Sequence, residues 1–277
     1  MTEMPTGLEP DAGHRGGVDA WLHPAEVDLL CTFAEVSPPF PLRVQVPGDR
    51  RASFQVARAE LARRGLSDSR GPRGVAADLV HLLREGNGSL DIMVARRDRA
   101  RGALVLAQRD EALLVAQDLG PVGARVHLVR MATRDAVDAL LDLVPDLGAA
   151  LAAGFNLPRR SLDQAYRAIL AATDDDGGPR RLGGDELDRL LRAHGIDEQT
   201  ARRMTTHLQP VLGNGQAGVA VRRGYADEWT RSGAEVRWLD TARGRFRLAG
   251  DGDWMSVNPL PREELRGELR ALARELW

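Results

Sequence analysis

The stretch LLREGNGSLDIMVARR, residues 82–97, changes its hydrophobic period halfway along, and that change decides the fold. Leu79, Val80 and Leu83 lie on one face of a helix, whereas Leu90, Ile92 and Val94 alternate as in a strand with one buried face. Alternation continues in Leu104 and Leu106, in Leu113 and Val115, and in Val126 and Leu128, each run set off by a short polar or Gly-containing turn. The spacing predicts a four-stranded antiparallel meander. Thr133 stands where it caps the next helix, whose inward side chains are Val137, Leu140, Leu141 and Val144.

A second stretch, PVLGNGQAGVAVRR at 210–223, repeats the first. Gly86 matches Gly213 at a separation of 127, and Arg96 and Arg97 match Arg222 and Arg223 at 126. Arg134-Asp135 matches Arg262-Glu263 at 128, and Leu140 matches Leu269 at 129. Each half reads as helices, four strands and one closing helix, which predicts an internal duplication with quasi-two-fold symmetry. Gly and Arg are common enough here that chance matching is the competing explanation. The expected fold is α+β: one antiparallel sheet with helical bundles, residues 1–17 a disordered tail, and 18–277 a single domain of half-domains 18–150 and 151–277.

Around the meanders, Val18–Leu22 reads as a short strand and 24–35 as a helix entered at Pro24 and stopped at Pro38 and Pro39. Leu42, Val44 and Val46 alternate as a strand, Ser53 caps a helix running to Arg64, and SDSRGPRG at 67–74 is a linker. In the second half, Ser161 and Gln164 form a capping box for a helix that ends at the DDDGGP run, 174–179. Leu187, Leu190, Leu191 and His194 share one helical stripe, and Ala201, Met204, Thr205 and Leu208 another, giving a small three-helix bundle. Strands follow at Val219 and Val221, Val236 and Trp238, Phe246 and Leu248, and Met255 and Val257, before a helix opened by Pro261.

Composition excludes several functions. The 277 residues carry 38 Arg plus Lys against 40 Asp plus Glu, a formal charge of −2, and none of those cations is a lysine. A Walker lysine, a Schiff base and a kinase-type lysine are therefore impossible. Apolar residues, 43% of the chain, supply a core that needs no metal or disulfide, and the single Cys31 allows no internal disulfide. Arg pairs recur but are scattered among acids, unlike the clustered positive charge that nucleic acid requires. Gly213, Gly215 and Gly218 spell a dinucleotide fingerprint in the wrong context, a helix before and a strand after, and read as a helix-to-strand turn. The six histidines lack metal-ligand spacing, Asp174, Asp175 and Asp176 are adjacent rather than alternating, and no G-x-S-x-G elbow occurs. No cofactor, metal or catalytic residue is expected. With no secretory signal in the first 17 residues and no apolar run of 18, the expected location is the cytoplasm, without membrane insertion.

PFPLRV (39–44), the meander from Leu90 to Arg130, GNGQAGVAVRR (213–223), EVRWLDTARGRFRL (235–248) and WMSVNPLPREEL (254–265) together resemble the EspG family of actinobacterial ESX (type VII) secretion systems. Asp240, Thr241, Gly244, Arg245 and Phe246 stand where the family has a strand ending in Asp-Thr followed by Gly-Arg and an aromatic. The resemblance implies a cytosolic, non-catalytic chaperone that binds the apolar tip of a PPE protein within a PE-PPE heterodimer, keeps it soluble and directs it to export. The competing class is a small-molecule-binding or unrecognised enzyme domain, which a polar pocket would favour; a wide apolar groove would favour the chaperone. Whether the chain self-associates is left open.

The resemblance also implies a contact surface on the sheet, the loop between the second and third sheet strands, and the C-terminal bundle. That loop maps to Arg97, Arg99 and Arg101, and the bundle to Leu187, Leu191, His194, Met204 and Leu208, each of them either core or groove. The longer loop 223–233 carries Tyr225 and Trp229, aromatic types favoured at interfaces, so the client face is expected on the second half with both loops at its edge. For Trp229 the alternative is that it merely covers the sheet.

Overall fold

The computed structural model describes residues 19–44, 48–96, 99–120, 123–171, 183–222, 229–250 and 252–276. The 1–17 tail, Val46, Arg97, Asp98, the 174–179 run and Tyr225 lie outside them. The elements are β1 (Asp19–Leu22), α1 (Pro24–Phe33), α2 (Arg50–Arg63), β2 (Ser67–Asp68), β3 (Gly71–Pro72), α3 (Val75–Glu85), β4 (Gly88–Arg96), β5 (Arg99–Gln108), β6 (Glu111–Asp118), β7 (Val126–Ala132) and α4 (Ala136–Leu141). There follow β8 (Phe155–Pro158), α5 (Arg159–Ala171), α6 (Gly184–Ala193), α7 (Glu198–His207), β9 (Val211–Arg222), β10 (Trp229–Thr241), β11 (Gly244–Ala249), β12 (Trp254–Pro259) and α8 (Arg262–Ala273).

Ten strands form one antiparallel sheet in the order β1-β7-β6-β5-β4-β9-β10-β11-β12-β8. The two meanders meet where β4 pairs with β9, from Gly88 opposite Val221 to Ala95 opposite Asn214. At this seam the odd residues of β9 share a face with the even residues of β4. Leu90, Ile92, Val94, Ala217, Val219 and Trp238 turn to that face and are buried beneath α4 and α8. The opposite face carries two separate helical groups. Over β5, β6 and β7 lie α1–α3, packed on Leu104, Leu106, Leu113, Val115, Val126 and Leu128. Over β8, β11 and β12, the second group meets Phe155, Leu157, Phe246 and Val257 through Leu162, Met204 and Leu208.

The glycines of the 213–218 stretch lie within β9, not in a turn, because neighbours occupy the space of their side chains. A Cβ on Gly215 would stand 1.9 Å from the Trp238 ring, which lies across it from the paired strand. On β10 and β11, Asp240 and Arg245 form a fully buried pair with bonds of 2.7 and 3.0 Å, and Arg245 also donates to Pro145 O at 2.9 Å. The backbone of Arg245 then holds 148–150, its N–H donating to Gly148 O and its C=O accepting from Ala150 and Leu260. Gly244, at φ +119°, lets this segment approach to 2.6 Å of where a Cβ would stand. Asp240, Thr241, Gly244 and Arg245 therefore brace the end of α4 against the second half of the sheet.

Several local expectations need correction. Leu42–Val44 forms no strand, since the Gln117 side chain takes the place of a ladder partner, accepting from Arg43 N–H and donating to Arg43 O. Asp49, not Ser53, caps α2 by accepting from Arg51 and Ala52 N–H, while the Ser53 hydroxyl donates to Asp49 O inside the helix. The 67–74 linker contains the β2–β3 ladder. Thr133 opens a 3-10 turn and donates to Arg109 O instead of capping α4. Ser161 lies within α5, which begins at Arg159. The sequence reading missed β8, whose four residues pair with β12 at the sheet edge.

Two substitutions test this scaffold. Gly215→Ala should cost about 2 kcal/mol or more in urea unfolding by forcing Trp238 from its place. Asp240→Ala, which leaves Arg245 buried without its carboxylate, should cost about 3–5 kcal/mol, whereas removing the exposed Arg202–Glu198 pair should change stability by under about 1 kcal/mol.

Candidate functional site

Between the two helical groups lies a strip of the sheet over which none of the described helices packs. Its floor is the face of β4, β9 and β10 opposite α4 and α8, where Met93, Ala95 and Gln216 are half-buried and Asn214 and Arg237 exposed. The floor is polar, not the wide apolar groove that would favour a chaperone, but its charges pair with one another instead of converging on a pocket. At its centre Asp91 points out of β4 and is completely buried. Arg231 on β10 reaches across β9 to bind it with both terminal nitrogens, at 2.8 and 3.0 Å, while its Nε donates to Glu235 at 3.0 Å. The crossing passes over Gly218, where an added Cβ would stand 2.5 Å from the guanidinium and push it aside. Arg237 continues the row by donating to Glu235.

One wall of the strip is the segment PFPLRV. Pro41 packs on Gly102 of β5, where a Cβ would come within 2.6 Å of the proline ring. Arg43 is held at both ends, its backbone by Gln117 and its Nη1 donating to Leu119 O at 2.8 Å. Immediately before these fixed points Phe40 projects, with the Arg231 guanidinium 4.8 Å from the centre of its ring. The result is an exposed aromatic stacked on a cation whose own position is set by a buried carboxylate.

The structure separates the residues expected to form one surface. Arg99 and Arg101 are strand residues of β5; by register they share the face covered by α4 and α8, and Arg101 pairs with Asp118 at 3.0 Å. Leu187, Leu191, His194, Met204 and Leu208 belong to the bundle on the opposite face. Leu191 and Leu208 are core, Leu187 and Met204 are partly buried against core, and His194 is half-buried at the end of α6. Trp229 starts β10 and packs, partly buried, on the α1–α3 cluster. The described ends that these loops join are far apart, Ala95 of β4 standing opposite Asn214 and Gly88 opposite Val221.

The sequence reading gave Phe40, Asp91 and Arg231 no role, and it read Gly218 only as part of a helix-to-strand turn. A charge interrupting Leu90, Ile92 and Val94 is ordinary on a strand with one wet face, and its partner stands 140 residues away. No arrangement for nucleophilic or metal chemistry converges here. Burial pushes the Cys31 thiol up to about 12, far from a reactive thiolate. Among the described residues no three His, Cys, Asp or Glu are grouped to hold a metal, and no helix is long and apolar enough to cross a membrane. Two shallow depressions, about 490 and 270 Å³, lie on the outer faces of α7 and α3, away from the strip.

Burial raises the Asp91 carboxyl to about 6 despite Arg231. An unfolded aspartate titrates near ~3.9, so the folded chain binds this proton more tightly. The group thus favours folding below about 4 and loses that contribution as pH rises through 6. In urea unfolding across pH 4–7, Asp91→Asn should therefore lack a fall in stability with rising pH that the unaltered chain shows.

The fold has a counterpart among solved structures. The Mycobacterium tuberculosis type VII secretion system chaperone EspG5, in complex with a PE25-PPE41 dimer, matches with a TM-score of 0.61 and 13% identity, over 94% of this chain and 97% of that one. At that identity the likeness is one of fold. HtdX (Rv0241c) from the same organism is 12% identical over 88% of this chain and 100% of its own, with a TM-score of 0.14. No curated protein matches. The EspG family model matches residues 23–271, almost the whole chain, and the chain belongs to the EspG family.

Proposed function

We propose that this chain is a cytoplasmic chaperone of a type VII secretion system that seats the tip of a PPE-type protein, within its PE-PPE dimer, on the strip between the two helical groups. The observation that carries the reading is the strip itself: a sheet face flanked by helices yet uncovered, in a fold shared with a chaperone solved with such a dimer. EspG proteins are non-catalytic, and binding is the function that an open sheet face beside an exposed aromatic supports. Shielding a client tip keeps its apolar surface from aggregating until export.

We further propose that residues 18–277 act as one domain and arose from two half-domains, 18–150 and 151–277. The strand order supports this, since β4 and β9, β5 and β10, β6 and β11, β7 and β12, and β1 and β8 stand at equal distances from the seam. Only an odd separation, such as the 127 between Gly86 and Gly213, carries Leu90 and Ile92 onto Ala217 and Val219 of the same face. Antiparallel β4–β9 pairing makes the halves mutual covers for what would otherwise be exposed edges.

Co-expression with PE-PPE pairs encoded in the same genome, followed by gel filtration, tests the function. At least one pair should elute with the chain as a soluble complex and precipitate without it. Elution of every pair apart from the chain would contradict the proposal.

A further inference from the structure

We infer that Phe40 and Arg231 form a composite anchor for an acidic side chain flanked by an apolar one on the client's tip. The inference rests on the strip being the client site and adds the chemistry that the strip selects. Phe40 is the large apolar side chain left open beside this polar floor, 45% exposed. Its position is fixed by buried Pro39 and Pro41 on either side and by Arg43 beyond. A rigid ring at the rim accepts an apolar side chain with little loss of conformational freedom.

The charges are layered. The Arg231 and Arg237 side chains are 31% and 53% exposed, whereas those of Asp91 and Glu235 are 1% and 22% exposed. An arriving group therefore meets guanidinium first, with the carboxylates beneath holding each arginine in place. The complement is a carboxylate, which accepts hydrogen bonds from a donor that needs no reorientation. A cationic client residue would meet Arg231 and Arg237 before either acid. Nucleic acid is a poor fit, because the row offers two cations where a phosphate backbone needs a long run of them. Arg231 thus joins the two parts of the anchor, stacking on Phe40 and offering the acid the terminal N–H groups left over from Asp91 and Glu235.

The probe is the PE-PPE dimer that co-elutes with the full chain after co-expression, titrated calorimetrically. Phe40→Ala, at an exposed position, should weaken binding by ten-fold or more without lowering the melting temperature. Arg231→Gln alone would leave Asp91 buried without its partner, so it is combined with Asp91→Asn, and this pair should also weaken binding at least ten-fold. Raising salt from 0.1 to 0.5 M should weaken the unaltered chain more than the double variant. Changing each acidic residue of the client tip to its amide should identify one whose loss matters to the unaltered chain and not to the double variant. Trp254→Ala, at an exposed site outside the strip, should have no effect. If the dimer binds the unaltered chain while Phe40→Ala and the double variant bind within two-fold of it, the anchor is wrong and the chaperone reading stands. If no dimer co-elutes, both are wrong.

Discussion

The contact on which the site depends is the one between Arg231 and Asp91 across the bare backbone of Gly218. It spans three strands and joins the first half of the chain to the second at the middle of the sheet. A carboxylate this deeply buried is tolerated because a bidentate guanidinium meets it, and that guanidinium keeps one edge toward water. A helix laid across this part of the sheet would have to desolvate the whole row of Asp91, Arg231, Glu235 and Arg237. The helices instead pack to either side, where Leu104, Leu106, Phe246 and Val257 offer apolar ground. The open strip thus follows from where charge is placed in the sheet.

A second buried pair does different work. Asp240 and Arg245 lie in the core and meet no solvent. Together with Thr241, whose hydroxyl donates to Gly244 O, they set the β10–β11 turn and clamp 145–150 onto it. The residues by which the chain most resembles its family are therefore scaffold, and those that face the strip lie outside that motif. This is reasonable physically: a buried ionic brace tolerates few alternatives, while a contact surface changes with the partner it meets.

Much of the architecture was legible in the sequence. The switch from the helical stripe ending at Leu83 to alternation at Leu90, Ile92 and Val94 locates both meanders, because strand periodicity is a local property. What failed was also local but ambiguous: β8 has four residues, too few for alternation to register, and Leu42–Val44 alternates without pairing because the Gln117 side chain takes the ladder's place. The family could be read from short motifs in their order. The site was less legible. Phe40 lay in a quoted motif without a role, and the link from Asp91 to Arg231 depends on the β4–β9 register, which no single stretch of sequence specifies. Arg99 and Arg101 were drawn to the site by their place in a loop, yet strand parity turns them to the other face.

The central claim is that a client covers the strip, and hydroxyl-radical footprinting of the full chain with and without a co-eluting PE-PPE dimer tests it most directly. Phe40 and Met93 are reactive side chains on the strip, and exposed Trp254 on β12 lies outside it. The account predicts that Phe40 and Met93 lose reactivity on binding while Trp254 keeps its own. Unchanged labelling of Phe40 and Met93 alongside protection of Trp254 would place the client elsewhere and contradict it.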